Sequence, residues 1–129
     1  SKERYQKHVK ALVQVGDSPD KGFSTVLGYP AEIIPLQNPY TLEVGASLDV
    51  RLLVEGKPVA GQFVQYGGRS ASDGRVAQRN TRSNAEGIAR IPLDRTGTYY
   101  IKFINMRRVT GDADANYESR WSTLTFAVR

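Results

Sequence analysis

Residues able to do chemistry are few in this chain and far apart. The single histidine is His8 and cysteine is absent, so a nucleophile activated by a neighbouring imidazole would rest on one residue near the amino terminus. No Gly-x-Ser-x-Gly elbow occurs, and neither does a Gly-x-x-x-x-Gly-Lys-Ser/Thr loop or a Gly-x-Gly-x-x-Gly fingerprint. Acidic residues gather at Asp112, Asp114 and Glu118, and two carboxylates of that kind could flank a glycosidic bond. The run Asp112-Ala-Asp114-Ala-Asn116 also imitates the start of a calcium loop. It lacks the glycine and the closing glutamate that such a loop uses, and acids among glycine, alanine and asparagine serve a turn equally well. Candidate metal ligands are therefore His8, Asp112 and Asp114, a thin set for nickel or cobalt, which prefer imidazole and sulfur. Candidate ligand contacts are Tyr66, Arg69 and Tyr117, because aromatic faces stack on sugar rings and a guanidinium grips anions.

The chain has 129 residues and a formal net charge of +5, from 18 Lys and Arg against 13 Asp and Glu. That length suits one domain able to bury a core without metal or disulfide staples. No run of apolar residues is long enough for a membrane-spanning helix, so no membrane insertion is expected. The basic balance could attract an anionic partner. Its densest arginine group, Arg69, Arg75, Arg79 and Arg82, is interleaved with serine, glycine and asparagine, and Tyr66 is the one aromatic nearby. Nucleic-acid surfaces interleave stacking aromatics with charge, so no nucleic-acid partner is expected.

The elements that must position these residues read as strands. In Ser1 to Val15, Tyr5, Val9, Leu12 and Val13 fall at helical spacing, which predicts a short amphipathic helix or, failing that, an extended segment. Gly16 to Gly22 is rich in turn formers and predicts a loop, so residues 1–22 are expected as an interdomain segment and 23–129 as the folded domain. Ala31 to Leu36 contains a proline, which suits an edge strand. Ser47 to Val54 alternates Leu48, Val50, Leu52 and Val54 with Asp49 and Arg51, the clearest half-buried strand in the chain. Gly56-Lys-Pro58 predicts a turn and Gln62 to Tyr66 a strand. Gly67 to Gly74 predicts an exposed loop, and Val76 to Arg82 an edge strand. Further strands are expected at Ile88 to Leu93, Thr98 to Ile104 and Trp121 to Val128, with a polar loop at Thr110 to Asn116. Tyr99 and Trp121 are expected to fill the space between sheets. Together these predict an all-β, immunoglobulin-like antiparallel sandwich of about seven strands.

The ordered segments Leu27 to Tyr40, Leu48 to Val54, Gly56-Lys-Pro58, Thr81 to Ala89, Gly97-Thr-Tyr-Tyr100 and Tyr117 to Phe126 carry a resemblance. Over residues 9–129 the chain resembles the carboxy-terminal domain of a bacterial exported family of unknown function, whose members are described as periplasmic components of cobalt or nickel uptake systems. The Gly-Lys-Pro turn and the Thr81-to-Ala89 stretch are also similar to carboxypeptidase-regulatory-like and transthyretin-like sandwiches, a likeness that bears on fold alone. The resemblance implies a periplasmic or exported location and a non-enzymatic binding or accessory module. Its partner would be an upstream domain of the same protein or another protein. Lys7 to Gly16 looks like the join to that upstream domain. Any nickel or cobalt would belong to the parent protein, with no cofactor held in this segment. Alternative readings are a cell-surface carbohydrate-binding or adhesive module, and an accessory domain of a hydrolase.

Overall fold

A computed structural model describes residues 3–11, 26–70, 74–109 and 116–128, with side chains for 26–70, 74–106 and 119–128. Its strands are β1 (Glu3–Ala11), β2 (Ala31–Pro35), β3 (Ser47–Val54), β4 (Lys57–Pro58), β5 (Phe63–Ser70), β6 (Gly74–Arg82), β7 (Ile88–Pro92), β8 (Gly97–Val109) and β9 (Asn116–Val128). They form an all-β sandwich, the class expected. One sheet has the order β1-β9-β8-β5-β6; in the other, β2 and β7 flank β3, with β4 continuing the β7 side. The run β9-β8-β5-β6 corresponds to the G-F-C-C′ order of an immunoglobulin variable-type sheet, and β2-β3-β7 to A-B-E.

Alternation within each strand decides which side chains meet. Leu48, Val50 and Leu52 of β3 are buried, as are Val64 of β5, Tyr99, Ile101 and Phe103 of β8, and Leu124 and Phe126 of β9. Burial of each such side chain contributes about 1.5–3 kcal/mol, and together they form one continuous core. Tyr99 adds a second kind of constraint. Its ring stacks on Phe126 with centroids 5.8 Å apart. Its Oη accepts from the Arg95 amide at 3.0 Å and donates to the Arg95 carbonyl at 2.9 Å. A tyrosine at the start of the F-equivalent strand that ties back to the preceding turn is the tyrosine corner of immunoglobulin-like sandwiches.

The turns follow residue chemistry. Glu55 and Gly56, with φ of 52° and 78°, join β3 to β4 in the type I′ arrangement whose twist matches a two-residue hairpin. A non-glycine residue there is disfavoured, but the Glu55 carboxylate accepts from Arg120 Nη2 of β9 at 2.6 Å and so anchors the turn to the opposite sheet. Asn38 Oδ1 accepts from the Tyr40 amide at 3.0 Å and starts a 3-10 turn over Pro39–Thr41. Buried Glu32 accepts from the amides of Leu27 and Gly28 at 2.6 and 3.1 Å, which folds the approach to β2 onto that strand.

Two expectations are made specific and two change. Among the described residues there are nine strands against the expected seven or so, the additions being chiefly β1 and the two-residue β4. Of the two forms expected at the amino terminus, helix or extended segment, Glu3–Ala11 takes the extended one as β1, which pairs parallel to β9 from Glu3 opposite Tyr117 to Ala11 opposite Thr125. A short helix is marginal in water, whereas β9 offers a long edge of backbone groups. Gly67 to Ser70 is part of β5 rather than loop, because glycine lets β8 approach closely at that point. Trp121 shares its parity with Thr123 and Thr125, so it lies half-buried on the outer face while Leu124 and Phe126 fill the core.

Candidate functional site

On the outer face of the five-stranded sheet, the β5–β6 hairpin and the start of β8 enclose an open groove of about 1030 Å³. Its floor is set by two glycines. A Cβ on Gly68 would lie 2.0 Å from the carbonyl oxygen of Thr98, so no side chain fits there, and one on Gly67 would lie 2.9 Å from Tyr100 Oη and would displace that ring. Tyr100 therefore lies across the Gly67 backbone, and its Oη donates to Gln78 Oε1 at 2.6 Å. Between Tyr66–Arg79 and Gly68–Val76 in the β5–β6 register, Ala77 and Gln78 face the single residue Gly67. That bulge turns Gln78 toward the tyrosine.

The register places Arg69 of β5 directly opposite Arg75 of β6, and Thr98 of β8 opposite Arg69 on the other side. Directly opposed side chains have Cβ atoms about 5 Å apart, and like charges at that spacing repel. Both arginines are exposed, both line the groove, and neither has an ion-pair partner among the described residues. The smaller sheet shows the opposite arrangement. There Asp49 faces Arg90 across the β3–β7 ladder, and Arg90 Nε donates to Asp49 Oδ1 at 3.1 Å.

Arg79 belongs to the other side of β6. It donates to the Asp94 carboxylate and lies over the Tyr66 ring, 5.5 Å from its centroid. Its pKa is raised, first by the hydrogen bond to Asp94, which outweighs the lowering by burial, with further raising by the charges of Tyr66, Asp94 and Tyr99. Two further cations share the outer face. Lys102 Nζ sits 5.4 Å from the Tyr100 centroid, and the Arg82 guanidinium 5.6 Å from that of Phe63.

Of the expected ligand contacts, the structure places Arg69 in the groove. Tyr66, buried on the core side of the same strand, is kept from the groove by the sheet itself. Tyr117 stands in β9 opposite Arg108 and Glu3, at the far end of the sheet from Arg69, and its side chain lies outside the described ones. His8 is in β1 with Ser122 as its partner, again without a described side chain. Asp112 and Asp114 lie outside the described residues. Among the described residues no group of three or more His, Cys, Asp and Glu comes together. Sequence reasoning missed Arg75, Gln78, Thr98 and Tyr100 as a group. The Gly67-Gly68 pair is the signal that could have found them, since glycines inside a strand mark a bulge or a close backbone approach.

Comparison with known proteins adds a family and no function. No curated protein matches the chain, and no solved structure does. The model of a domain of unknown function, DUF4198, matches residues 1–107. That span takes in β1 through most of β8, including the whole β5–β6 hairpin and the groove's share of β8. The chain belongs to the DUF4198 family.

Proposed function

We propose that this domain is a non-enzymatic binding module whose groove takes an anionic group, a carboxylate, sulfate or phosphate, between Arg69 and Arg75. The carrying observation is the cross-strand register that sets these two guanidinium groups side by side with no carboxylate partner among the described residues. An anion seated between them would relieve their repulsion and accept charge-assisted hydrogen bonds from both. Binding is the role supported by the groove's other side chains as well. Thr98, Gln78 and Tyr100 offer hydroxyl and amide groups, and among the described residues no histidine or carboxylate lines the groove to act as a base.

The resemblance supports a setting for this module, that of an accessory domain of a periplasmic or exported protein linked to nickel or cobalt uptake. The metal chemistry would then belong to the parent protein. Calorimetric titration of this chain with nickel or cobalt chloride tests that division, and saturable tight binding by the chain would overturn it. For the groove, the test is NMR observation of the arginine Nε–Hε signals during titration with citrate, sulfate and phosphate. Saturable shifts of Arg69 and Arg75, absent at Arg90 and removed by R69Q/R75Q, are expected. Equal shifts at Arg90, or none at Arg69 and Arg75, would overturn the anion site.

A further inference from the structure

The register sorts charge over the outer face formed by β9, β8, β5 and β6, beyond the groove. Going along β5 from Arg69 to Phe63, the outward positions are paired successively with Arg75 and Thr98, with Gln78 and Tyr100, with Asn80 and Lys102, and with Arg82. Every charged side chain in that set is a cation: Arg69, Arg75, Lys102 and Arg82. Outward positions of β9 in the same rows are Thr125 and Thr123, followed by Trp121. Among the described residues of β5, β6, β8 and β9, no Asp or Glu occupies this face. The described acids lie elsewhere: Glu32 and Asp49 in the smaller sheet, Glu43, Glu55 and Glu86 in turns, Asp94 clipped to Arg79, Glu118 at a β9 position that alternates with the outward ones, and Glu3 in β1 beside Tyr117, beyond the Arg82 end of these rows.

Arg69 and Phe63 are six strand positions apart, so Arg69 and Arg82 mark the ends of a track about 20 Å long with Lys102 between them. A single small anion occupies one end of such a track. A chain carrying repeated negative charges can engage all of it. Between the cations stand Thr98, Gln65, Asn80 and Thr123, whose hydroxyl and amide groups both donate and accept hydrogen bonds. That alternation of cation and hydroxyl-matching side chain suits a polymer bearing both carboxylates and hydroxyl groups.

We infer that the outer face of β9, β8, β5 and β6 is a binding track for an acidic polysaccharide, a polyuronate or its like, laid from the Arg69–Arg75 groove toward Arg82. This deepens the groove reading and rests on it. Single-stranded nucleic acid fits less well, because base stacking needs open aromatic faces. Lys102 and Arg82 already lie over the rings of Tyr100 and Phe63. An anionic bilayer fits less well too: the exposed apolar side chains Phe63, Ile104 and Met106 are confined to one end of the track and sit on strands rather than at a projecting tip.

The test is calorimetry of the chain with galacturonate, oligogalacturonate, a neutral dextran oligomer, oligothymidylate and vesicles containing phosphatidylglycerol, at two salt concentrations. Oligogalacturonate is expected to bind at least tenfold more tightly than galacturonate, and to weaken as salt rises. The R82Q/K102Q variant is expected to lose about tenfold or more against the oligomer, the scale of a lost charge-assisted contact. All four cations are at the surface, and a thermal melt of each variant confirms that the fold is retained. If galacturonate binds and the oligomer binds no tighter, the track is overturned and the groove survives. If galacturonate, citrate, sulfate and phosphate all fail to bind, both are overturned. Tighter binding of dextran, oligothymidylate or vesicles than of oligogalacturonate overturns the polysaccharide assignment.

Discussion

Two residues show how much depends on single atoms. Tyr99 carries a ring in the core and a hydroxyl bonded to both backbone groups of Arg95. Tyr99→Phe keeps the ring and strands those two groups, and is expected to destabilise the fold by about 1–2 kcal/mol. Urea unfolding should show this as a lower midpoint at unchanged slope. Gly68 is the stricter case, since a Cβ there would lie 2.0 Å from a backbone oxygen that cannot swing aside. Gly68→Ala is expected to cost roughly 3 kcal/mol by forcing β5 and β8 apart. Its amide hydrogen-exchange signature would be lost protection centred on the β5–β8 ladder, with the β2–β3 ladder little changed.

Among the elements, β3 is the most legible from its own residues. Its alternation is local, and Leu48, Val50 and Leu52 are buried as that pattern requires. β1 is the least legible. Tyr5, Val9 and Leu12 suit a helix, while Tyr5, Lys7, Val9 and Ala11 suit a strand equally, and the decision lies with the distant edge of β9. The candidate site escapes sequence reading for a related reason. Arg69 and Arg75 are visible as neighbours in a basic stretch, but their facing positions depend on the bulge opposite Gly67. Tyr100 comes to that bulge from another part of the chain. Charge segregation is hidden for the same cause, because it is a property of strand register. Removing residues 1–11 is expected to lower the melting temperature and to leave β9 as an open edge. Size-exclusion chromatography should then show more concentration-dependent self-association than the intact chain does under the same conditions.

At the scale of the whole molecule, a net charge of +5 understates the field at one face. The cations of the outer sheet face act together, whereas Arg90 and Arg79 are each matched by a carboxylate. Two double variants with equal net charge should therefore behave differently on a cation-exchange column. R69Q/R75Q is expected to elute at distinctly lower salt than R79Q/R90Q, because adsorption follows the exposed patch and not the total. Equal elution would mean that the face has no field of its own.

The parallel pairing of β1 with β9 has a mechanical consequence. Glu3 lies beside Tyr117 and Ala11 beside Thr125, so Glu3 and Val128 stand at opposite ends of a shared ladder. A tensile load applied through those two points would act along the strands and strain every β1–β9 hydrogen bond at once, in shear. Pulling Glu3 away from its neighbour Tyr117 would instead part the bonds one at a time. In single-molecule pulling this domain is expected to resist as a single high-force rupture when held at Glu3 and Val128, governed by the unfolding rate of that ladder. It should yield at much lower force when held at Glu3 and Tyr117, where β1 peels from the edge. Load direction, rather than overall stability, would then decide whether this sandwich holds or opens.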